Sequence, residues 1–324
     1  MTPEAIGATG AVAAGRARRL WITGGAGLVG RNLREHRGLR DWVVAAPSRS
    51  ELDLTDYAAT LAFAKAFAPD MVVHAAGRVG GIQANIEHPV EFLVANVDIG
   101  RNVILAAHRA GVKYMLNLAS SCIYPRECES PLREEALLTG RLEPTNEGYA
   151  LAKIVALRLC EYLNREDDSI RYKTFIPCNI YGRYDHFENC GSHLIAAIIR
   201  KIHEAKQSGR DRVEIWGDGS ARREVMYADD LADAIIAAVK NISNVPDVLN
   251  IGVGTDHSIL EYYNIVKDVL GWKGQFEFDR ERPTGMMRKV VDTTLQTRWG
   301  WAPKTPLREG IARTYRYFLE DSGR

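Results

Sequence analysis

Tyr149 and Lys153 are four residues apart in a stretch that predicts a helix, so both side chains lie on one helical face. A free tyrosine has a pKa of about 10, which is too high for efficient proton transfer at neutral pH. Because a nearby cation favours the phenolate, we expect Lys153 to lower the pKa of Tyr149 and to make it a general acid or base. From the spacing alone, the alternative is an exposed tyrosine near a solvated lysine.

Ser120 supplies a hydroxyl group at the end of a predicted strand, directly after the apolar run 114–119. Ligands of an open α/β sheet bind at the carboxyl ends of its strands. A serine at that place can donate a hydrogen bond to a substrate carbonyl. Together with the tyrosine and the lysine, it predicts proton transfer at a carbonyl group.

A glycine-rich segment near the N-terminus predicts a phosphate-binding turn. Gly24, Gly27 and Gly30 follow a short apolar run and enter a predicted helix that contains Leu28 and Val29. Glycines let the backbone bend sharply and approach a pyrophosphate, whose charge then meets the amides of the helix N-terminus. A purely structural turn is the alternative, but the order of strand, turn and helix favours a dinucleotide site.

The end of the second predicted strand indicates which dinucleotide is bound. An acidic residue there would hydrogen-bond the ribose 2′-hydroxyl of NAD, but the sequence reaches Arg49 with no acid before Glu51. A guanidinium group fits phosphate oxygens, so we predict NADP(H) with Arg49 at the 2′-phosphate. A solvated surface arginine is the alternative. Asp53 and Leu54 are predicted near the adenine.

Strand and helix patterns alternate through the first half of the chain, which predicts an α/β fold with a doubly wound parallel sheet of the Rossmann type. Predicted strands cover 20–23, 42–46, 71–76, 114–119 and 172–176, and predicted helices cover 28–37, 58–67, 92–110 and 149–164. After about residue 182 the elements become shorter and more mixed. The predicted units are a flexible extension (1–18), an NADP(H)-binding Rossmann domain (19–181, with 224–251 returning to it) and a smaller mixed α/β substrate lobe (182–223 and 252–324).

Composition argues against several classes of protein. The 324 residues include 42 Lys or Arg and 41 Asp or Glu, a formal net charge of +1, so no nucleic-acid or membrane-surface partner is predicted. No apolar run approaches the roughly 18 residues that a membrane span requires. The five cysteines are an odd number without zinc-site spacing, so we predict no metal site and a cytoplasmic, reducing location.

Further strings resemble the extended short-chain dehydrogenase/reductase family, which includes nucleotide-sugar epimerases and dehydratases. The resemblance covers nearly all of the chain after residue 18, and it is closest to the members that epimerise and reduce GDP-4-keto-6-deoxymannose. The strings that carry it are VGGIQAN at 79–85, SSCIYP at 120–125, LEPTNEGYA at 142–150, PCNIYG at 177–182, SH at 192–193 and WGDG at 216–219.

The resemblance implies a GDP-sugar substrate with a ketone at C4, which acidifies the protons on C3 and C5 because the carbanion delocalises as an enolate. It implies Cys122 as the base and His193 as the acid that invert these carbons. A thiol with a pKa of about 8.5 needs only a modest shift for that role. NADPH would then reduce C4, while Tyr149 protonates the oxygen, Lys153 tunes Tyr149 and holds the ribose, and Ser120 positions the carbonyl.

The resemblance also implies the residues that bind the two ligands. Besides the glycine turn, Tyr149 and Lys153, the cofactor contacts would be Ala75, Ala76, Pro177, Asn179 and Ile180. The substrate contacts would be Asn179, His193, Lys201, Trp216, Arg223 and Lys289. A homodimer through the two helices predicted at 92–110 and 149–164 is implied as well.

Two other functions remain open from the sequence. The same site could reduce a related GDP-4-keto sugar, such as a 6-deoxyheptose, with partial or no epimerisation. Alternatively, the chain could be a regulatory protein that binds a nucleotide without catalysis. The presence of Ser120, Tyr149 and Lys153 argues against the regulatory function.

Overall fold

The structure, a computed structural model, describes residues 16–188, 192–282 and 285–322. Residues 1–15 of the predicted extension and Cys190 therefore lie outside the described residues. Within the described ranges, no helix combines the length and the apolar character that crossing a membrane requires. The cysteines described there are free thiols, namely Cys122, Cys128, Cys160 and Cys178.

Strands and helices alternate through the first half of the chain. In chain order they are β1 (Arg18–Thr23), α1 (Leu28–Arg34), β2 (Trp42–Ala45), α2 (Tyr57–Phe67), β3 (Met71–His74), α3 (Ile82–Glu87), α4 (Pro89–Arg109), β4 (Tyr114–Leu118), α5 (Glu147–Glu166), β5 (Arg171–Pro177) and β6 (Asn179–Tyr181). Each strand and helix predicted in this region is present. Helix α1 ends three residues earlier than predicted, because the His36 ring accepts a hydrogen bond from the Gly38 amide and starts a separate 3₁₀ turn (Arg37–Leu39).

The second half contains shorter and more varied elements. They are α6 (Leu194–Gln207), β7 (Arg212–Trp216), β8 (Arg222–Arg223), β9 (Val225–Tyr227), α7 (Ala228–Lys240), β10 (Val248–Ile251), β11 (His257–Ser258), α8 (Ile259–Leu270), β12 (Gln275–Asp279), β13 (Arg288–Lys289), α9 (Thr294–Trp299) and α10 (Leu307–Ser322). Further 3₁₀ turns occupy Ser121–Ile123, Glu134–Ala136, Pro144–Asn146 and Ile242–Asn244.

The central sheet has six strands in the order β10-β5-β4-β3-β1-β2, and all of its pairings are parallel. The chain runs outward from β1 to β2 and then returns to place β3 on the other side of β1. At such a reversal of strand order, the two loops that leave the carboxyl ends diverge and open a ligand-binding crevice. Thr23 and His74, which end β1 and β3, lie opposite each other at this point.

Alternate residues along the strands supply apolar side chains to the two faces of the sheet, as the pleat requires. Leu20 and Ile22 belong to the core on one face, whereas Trp21 between them belongs to the core on the other face. A third core lies among α6, α8 and α10 in the second half of the chain, where Ile199 and Val266 are fully buried. The predicted Rossmann-type α/β fold is confirmed.

Candidate active site

A cleft of about 490 Å³ lies where the strand order reverses, and it brings most of the predicted site residues together. Its lining includes the predicted cofactor residues Gly24, Gly27, Leu28, Val29, Gly30, Arg49, Asp53, Leu54, Ala75, Ala76, Pro177, Asn179 and Ile180. It also includes Ser120, Tyr149, Lys153 and His193. The cleft therefore joins a dinucleotide-sized trough to a cluster of proton-transferring side chains.

The glycine turn fits a pyrophosphate because its backbone packs too tightly for larger residues. Gly24 has a φ of +70°, and a Cβ atom there would lie 2.9 Å from the backbone of Ala76. A Cβ atom on Gly30 would lie 2.2 Å from the Gly24 carbonyl oxygen. Helix α1 begins after Gly27 without a side-chain cap, so its first amides are available to an anion in the cleft.

The acidic residues beyond β2 are held by their own loop. Glu51 accepts hydrogen bonds from the amide and the hydroxyl of Ser48, both at 2.7 Å, and these bonds lower its pKa. Asp53 accepts bonds from the amide (3.0 Å) and the hydroxyl (2.8 Å) of Thr55, which lower its pKa as well. Arg49 lines the cleft together with Asp53, so a guanidinium group is available there to a ribose substituent.

Lys153 and Tyr149 lie together on α5, as their spacing predicted. The Lys153 ammonium donates a hydrogen bond to the Leu118 carbonyl at 2.9 Å and lies 5.7 Å from the centroid of the Tyr149 ring. Burial lowers the pKa of Lys153 to about 8. Burial also raises the pKa of Tyr149 above its ordinary value, and the nearby Cys122 adds to this rise. The pKa of Tyr149 is therefore raised and not lowered as predicted, because burial of the phenol has the largest effect on it.

His74 and Thr23 support this edge of the sheet, although the sequence had not singled them out. The Thr23 hydroxyl accepts a hydrogen bond from the Ala76 amide at 3.1 Å and lies 2.8 Å from Nδ1 of His74. Burial, with the Lys153 charge, lowers the pKa of His74 to about 3, so the ring is neutral. Both side chains fix the loop that leaves β3 toward the cleft.

Cys122 lies in the 3₁₀ turn Ser121–Ile123, and Ser120 is the N-cap residue of that turn. The Ser120 hydroxyl accepts a hydrogen bond from the Cys122 amide at 3.4 Å. Cys122 is 5% exposed and is not among the described residues that line the cleft. Burial raises the pKa of its thiol, although the charges of Lys289 and Lys153 oppose the rise. The pKa of this thiol is therefore shifted in the direction opposite to the one that helps a catalytic base at neutral pH.

His193 stands at the N-cap position of α6, without a side-chain capping bond, and lines the cleft. Its Nδ1 atom lies 2.8 Å from Oδ1 of Asp185. Burial lowers the pKa of His193, but the hydrogen bond and the charge of Asp185 outweigh it, so the net pKa is raised. Asp185 was not predicted from the sequence, since it stands eight positions before the histidine in a loop without a regular pattern.

The remaining predicted substrate residues lie outside the cleft lining, in two groups. In the first group, the Lys201 ammonium lies 5.4 Å from the ring centroid of Trp216, and the Arg282 guanidinium lies 5.1 Å from it. In the second group, Arg223 and Lys289 are register partners in β8 and β13. A Cβ atom on Gly285 would lie 3.5 Å from Arg223 Nη2 and 3.7 Å from Ile82 of the VGGIQAN string, so this group borders the start of α3.

Asn96 was also missed, and it shapes the loop after β3. Its side-chain oxygen accepts a hydrogen bond from the Arg78 amide at 2.8 Å, and its amide group donates to the Arg78 carbonyl at 3.0 Å. Arg78 itself lines the cleft. The sequence did carry a signal for this role, since Asn96 is a polar residue among the apolar residues on the buried face of α4. Buried side-chain amides usually form hydrogen bonds, often with backbone groups.

Comparison with known proteins agrees with this geometry. The chain is 48% identical over 303 residues to the GDP-L-colitose synthase of Yersinia pseudotuberculosis. The aligned region covers 94% of this chain and 98% of that protein. It is 47% identical over 305 residues to the GDP-L-fucose synthase of Azorhizobium caulinodans, with coverage of 94% and 97%. The solved structure of MlghC, a GDP-mannoheptose C4 reductase from Campylobacter jejuni with NADP bound, superposes with a TM-score of 0.84 at 31% identity and coverage of 93% and 98%.

The family model described as NAD dependent epimerase/dehydratase family matches residues 20–252, which is well over half of the chain. The match spans the glycine turn, the Tyr149–Lys153 pair and the strand β10 that returns to the sheet. Together with the relatives above, it confirms the predicted resemblance: the chain belongs to the NAD dependent epimerase/dehydratase family.

Proposed function

We propose that this protein is an NADP(H)-dependent epimerase and reductase that converts GDP-4-dehydro-6-deoxy-D-mannose to GDP-L-fucose. The single observation that carries the proposal is that Ser120, Tyr149, Lys153 and His193 line one cleft with the glycine turn. The relative from Azorhizobium, which bears the name GDP-L-fucose synthase and matches almost end to end, supports the choice of substrate.

Reduction at C4 uses Ser120, Tyr149 and Lys153, which line the cleft together. When bound, NADPH supplies the hydride. Tyr149, whose raised pKa keeps the phenol neutral, donates its proton to the C4 oxygen, and the Ser120 hydroxyl donates a hydrogen bond to the same oxygen. Lys153, with a pKa of about 8, is mostly charged at neutral pH and stabilises the negative charge that develops during the transfer.

The preference for NADP(H) over NAD(H) depends on Arg49. Glu51 and Asp53 accept hydrogen bonds from Ser48 and Thr55, which hold both carboxylates against their own loop. A guanidinium at the cleft wall pairs with a 2′-phosphate through charge-assisted hydrogen bonds. NADP in the Campylobacter reductase supports the same choice.

Inversion at C3 and C5 needs a base on one face of the ring and an acid on the other. His193, whose pKa Asp185 raises, keeps its proton to higher pH than an ordinary histidine and is suited to donate it. Cys122 must lose its proton to act as the base, and the Lys289 charge is the strongest influence that favours the thiolate. The enolate formed between the two steps is stabilised by the same donors that hold the C4 oxygen.

The test is incubation of the enzyme with GDP-4-dehydro-6-deoxymannose and NADPH in deuterated water. We expect GDP-L-fucose with deuterium at C3 and C5, identified by NMR and mass spectrometry. Oxidation of NADPH without exchange at these carbons would assign reduction alone. If neither NADPH oxidation nor exchange occurs, the proposed substrate is wrong.

A second candidate function is reduction at C4 of a related GDP-4-keto sugar, such as a 6-deoxyheptose, with partial or no epimerisation. The observation that favours it is the position of Cys122, which is buried, has a raised pKa and lies outside the cleft lining. Similarity to a heptose C4 reductase and to a colitose synthase points the same way. A panel of GDP-4-keto sugars compared by kcat/KM separates the two functions.

We also propose that the enzyme is a cytoplasmic homodimer. Helices α4 and α5 pack against each other and expose apolar side chains to solvent, namely Val90, Val94, Leu151, Val155 and Tyr162. A two-fold contact between these helix pairs would cover them. The free thiols of the described cysteines suit a reducing compartment. Light scattering of the purified protein measures the mass, and a monomer would contradict the dimer.

A further inference from the structure

His193 is the acid proposed above, and its ring is held by one carboxylate. Oδ1 of Asp185 lies 2.8 Å from Nδ1 of the ring. The Asp185 side chain is completely buried, whereas the His193 side chain is 36% exposed and lines the cleft. This contact occupies Nδ1, which lies on the protein side, and leaves Nε2 for the substrate.

The loop that carries Asp185 is anchored to α1, the helix that begins at the glycine turn. Asn32 of α1 donates a hydrogen bond to the Arg183 carbonyl at 3.0 Å, and Arg183 forms an ion pair with Glu35 at 3.1 Å. The Arg31 guanidinium lies 3.8 Å from the ring centroid of Tyr184. Tyr184 has a φ of +69°, a left-handed conformation that persists in a non-glycine residue only when its surroundings impose it.

We propose that Asp185 is a positioning residue, which holds His193 in the orientation and tautomer that present Nε2 to the sugar. The inference rests on the proposed function of His193 as an acid. Asp185 accepts the Nδ1–H bond throughout. In the transfer, the Nε2–H bond breaks, the electron pair of the enolate forms the new C–H bond, and a neutral ring remains with its proton on Nδ1. Solvent then returns a proton to Nε2.

The second carboxylate oxygen shows why the charge of Asp185 matters as well as its hydrogen bond. Oδ2 is buried and has no hydrogen-bond partner among the residues that the structure describes. A buried carboxylate with an unsatisfied oxygen is costly, and a positive charge on the adjacent imidazole offsets that cost. The carboxylate therefore favours the protonated ring, which is the form that an acid requires.

Other titratable groups around His193 do not account for this preference. Tyr149 and Lys153 line the same cleft from α5, and His186 and Glu188 lie in the loop. In the described part of the chain, Asp185 is the one charged group that shifts the pKa of His193, and it raises that pKa against the effect of burial. Removal of its charge should lower the pKa of the ring.

The first experiment is an NMR titration of the imidazole nitrogens in the wild type and in the Asp185→Asn variant. A His193→Gln spectrum identifies the signals of His193. In the wild type we expect the neutral ring to keep its proton on Nδ1. In Asp185→Asn we expect a lower pKa. Asp167→Asn is the matched control, since it removes a carboxylate that lies 3.5 Å from His108 at the surface.

The second experiment measures deuterium exchange at C3 and C5 as a function of pH. Asp185→Asn should slow exchange by about 10²-fold, in the range typical of general acid–base catalysis. The alkaline limb of its pH profile should move to lower pH, because the protonated ring is lost earlier. Binding of NADPH should be unchanged, and Asp167→Asn should exchange like the wild type.

The proposal is overturned if wild-type His193 carries its neutral proton on Nε2, or if Asp185→Asn leaves the pKa and the exchange rate unchanged. The NMR titration needs no substrate, so it separates this inference from the proposed function, which fails if the wild type does not turn over. If Asp185→Asn does not fold, the wild-type tautomer decides the question.

Discussion

Glu224 is a carboxyl group that is only 1% exposed and that ties together three segments near the predicted substrate residues. Its Oε1 atom accepts hydrogen bonds from the amides of Val253 (2.5 Å) and Gly254 (2.7 Å), and Oε2 accepts one from Val291 (2.8 Å). Burial raises its pKa from 4.5 to about 7, although these hydrogen bonds oppose the rise.

This pKa makes the stability of the protein depend on pH. The difference between about 7 in the folded state and 4.5 in the unfolded state is about 2.5 units. At about 1.4 kcal/mol for each unit, Glu224 changes the free energy of unfolding by about 3 kcal/mol. The folded state keeps the proton to higher pH than the unfolded state. The contribution is therefore fully present below pH 4.5 and is lost as the pH rises past 7.

Glu224→Gln cannot ionise, so this part of the pH dependence should vanish. We expect the variant to be about 1–3 kcal/mol less stable than the wild type near pH 4.5, because its side-chain amide faces a backbone amide. The difference should then shift by about 3 kcal/mol in favour of the variant by pH 8.

Urea unfolding followed by tryptophan fluorescence at several pH values between 4.5 and 8 measures this difference. Glu320→Gln, at an exposed position of α10, is the control and should differ from the wild type by a constant amount. A constant difference for Glu224→Gln as well would show that the buried carboxyl is ionised at the same pH in both states, and the reasoning would fail.

Four further substitutions test the site. Arg49→Ala should lower kcat/KM for NADPH by about ten- to a hundredfold, as expected for the loss of about 1.5–3 kcal/mol from a charged hydrogen bond. The value for NADH should change little, and equal losses with both cofactors would refute the assignment. Tyr149→Phe should slow NADPH oxidation by at least about 10²-fold while the cofactor still binds, and substantial turnover would count against its role as proton donor. Cys122→Ser and His193→Gln should each slow deuterium exchange at C3 and C5 more than they weaken cofactor binding, and unchanged exchange in both would contradict their roles.

The sheet could be predicted from short-range patterns because a parallel sheet is buried on both faces. Runs such as Met71–His74 are apolar at nearly every position, and each is followed by a helix of the expected length. The carboxyl ends of parallel strands meet at one edge, so Gly24, Ala75 and Ser120 were expected in one cleft although they are far apart in sequence. The structure places all three there.

The electrostatics of the site could not be predicted in the same way. The spacing of Tyr149 and Lys153 gave their proximity, but a pKa depends on how much water remains around each group, which follows from packing of the whole fold. Asp185 was missed for a related reason. Its contact with His193 arises from a loop shaped by Tyr184 and by α1, and no periodic pattern in the loop marks that shape.

The raised pKa of Tyr149 bears on the direction of the reaction. An alkoxide at C4 is a stronger base than a phenolate, so a neutral phenol can donate its proton to the developing alkoxide without any lowering of its pKa. Oxidation of the alcohol would instead require a phenolate, which burial disfavours. His74 is neutral, with a pKa of about 3, and adds no second charge beside Lys153, whose ammonium persists at neutral pH. The resting site thus has a protonated phenol beside the Lys153 cation, which is the protonation state from which reduction of a ketone starts.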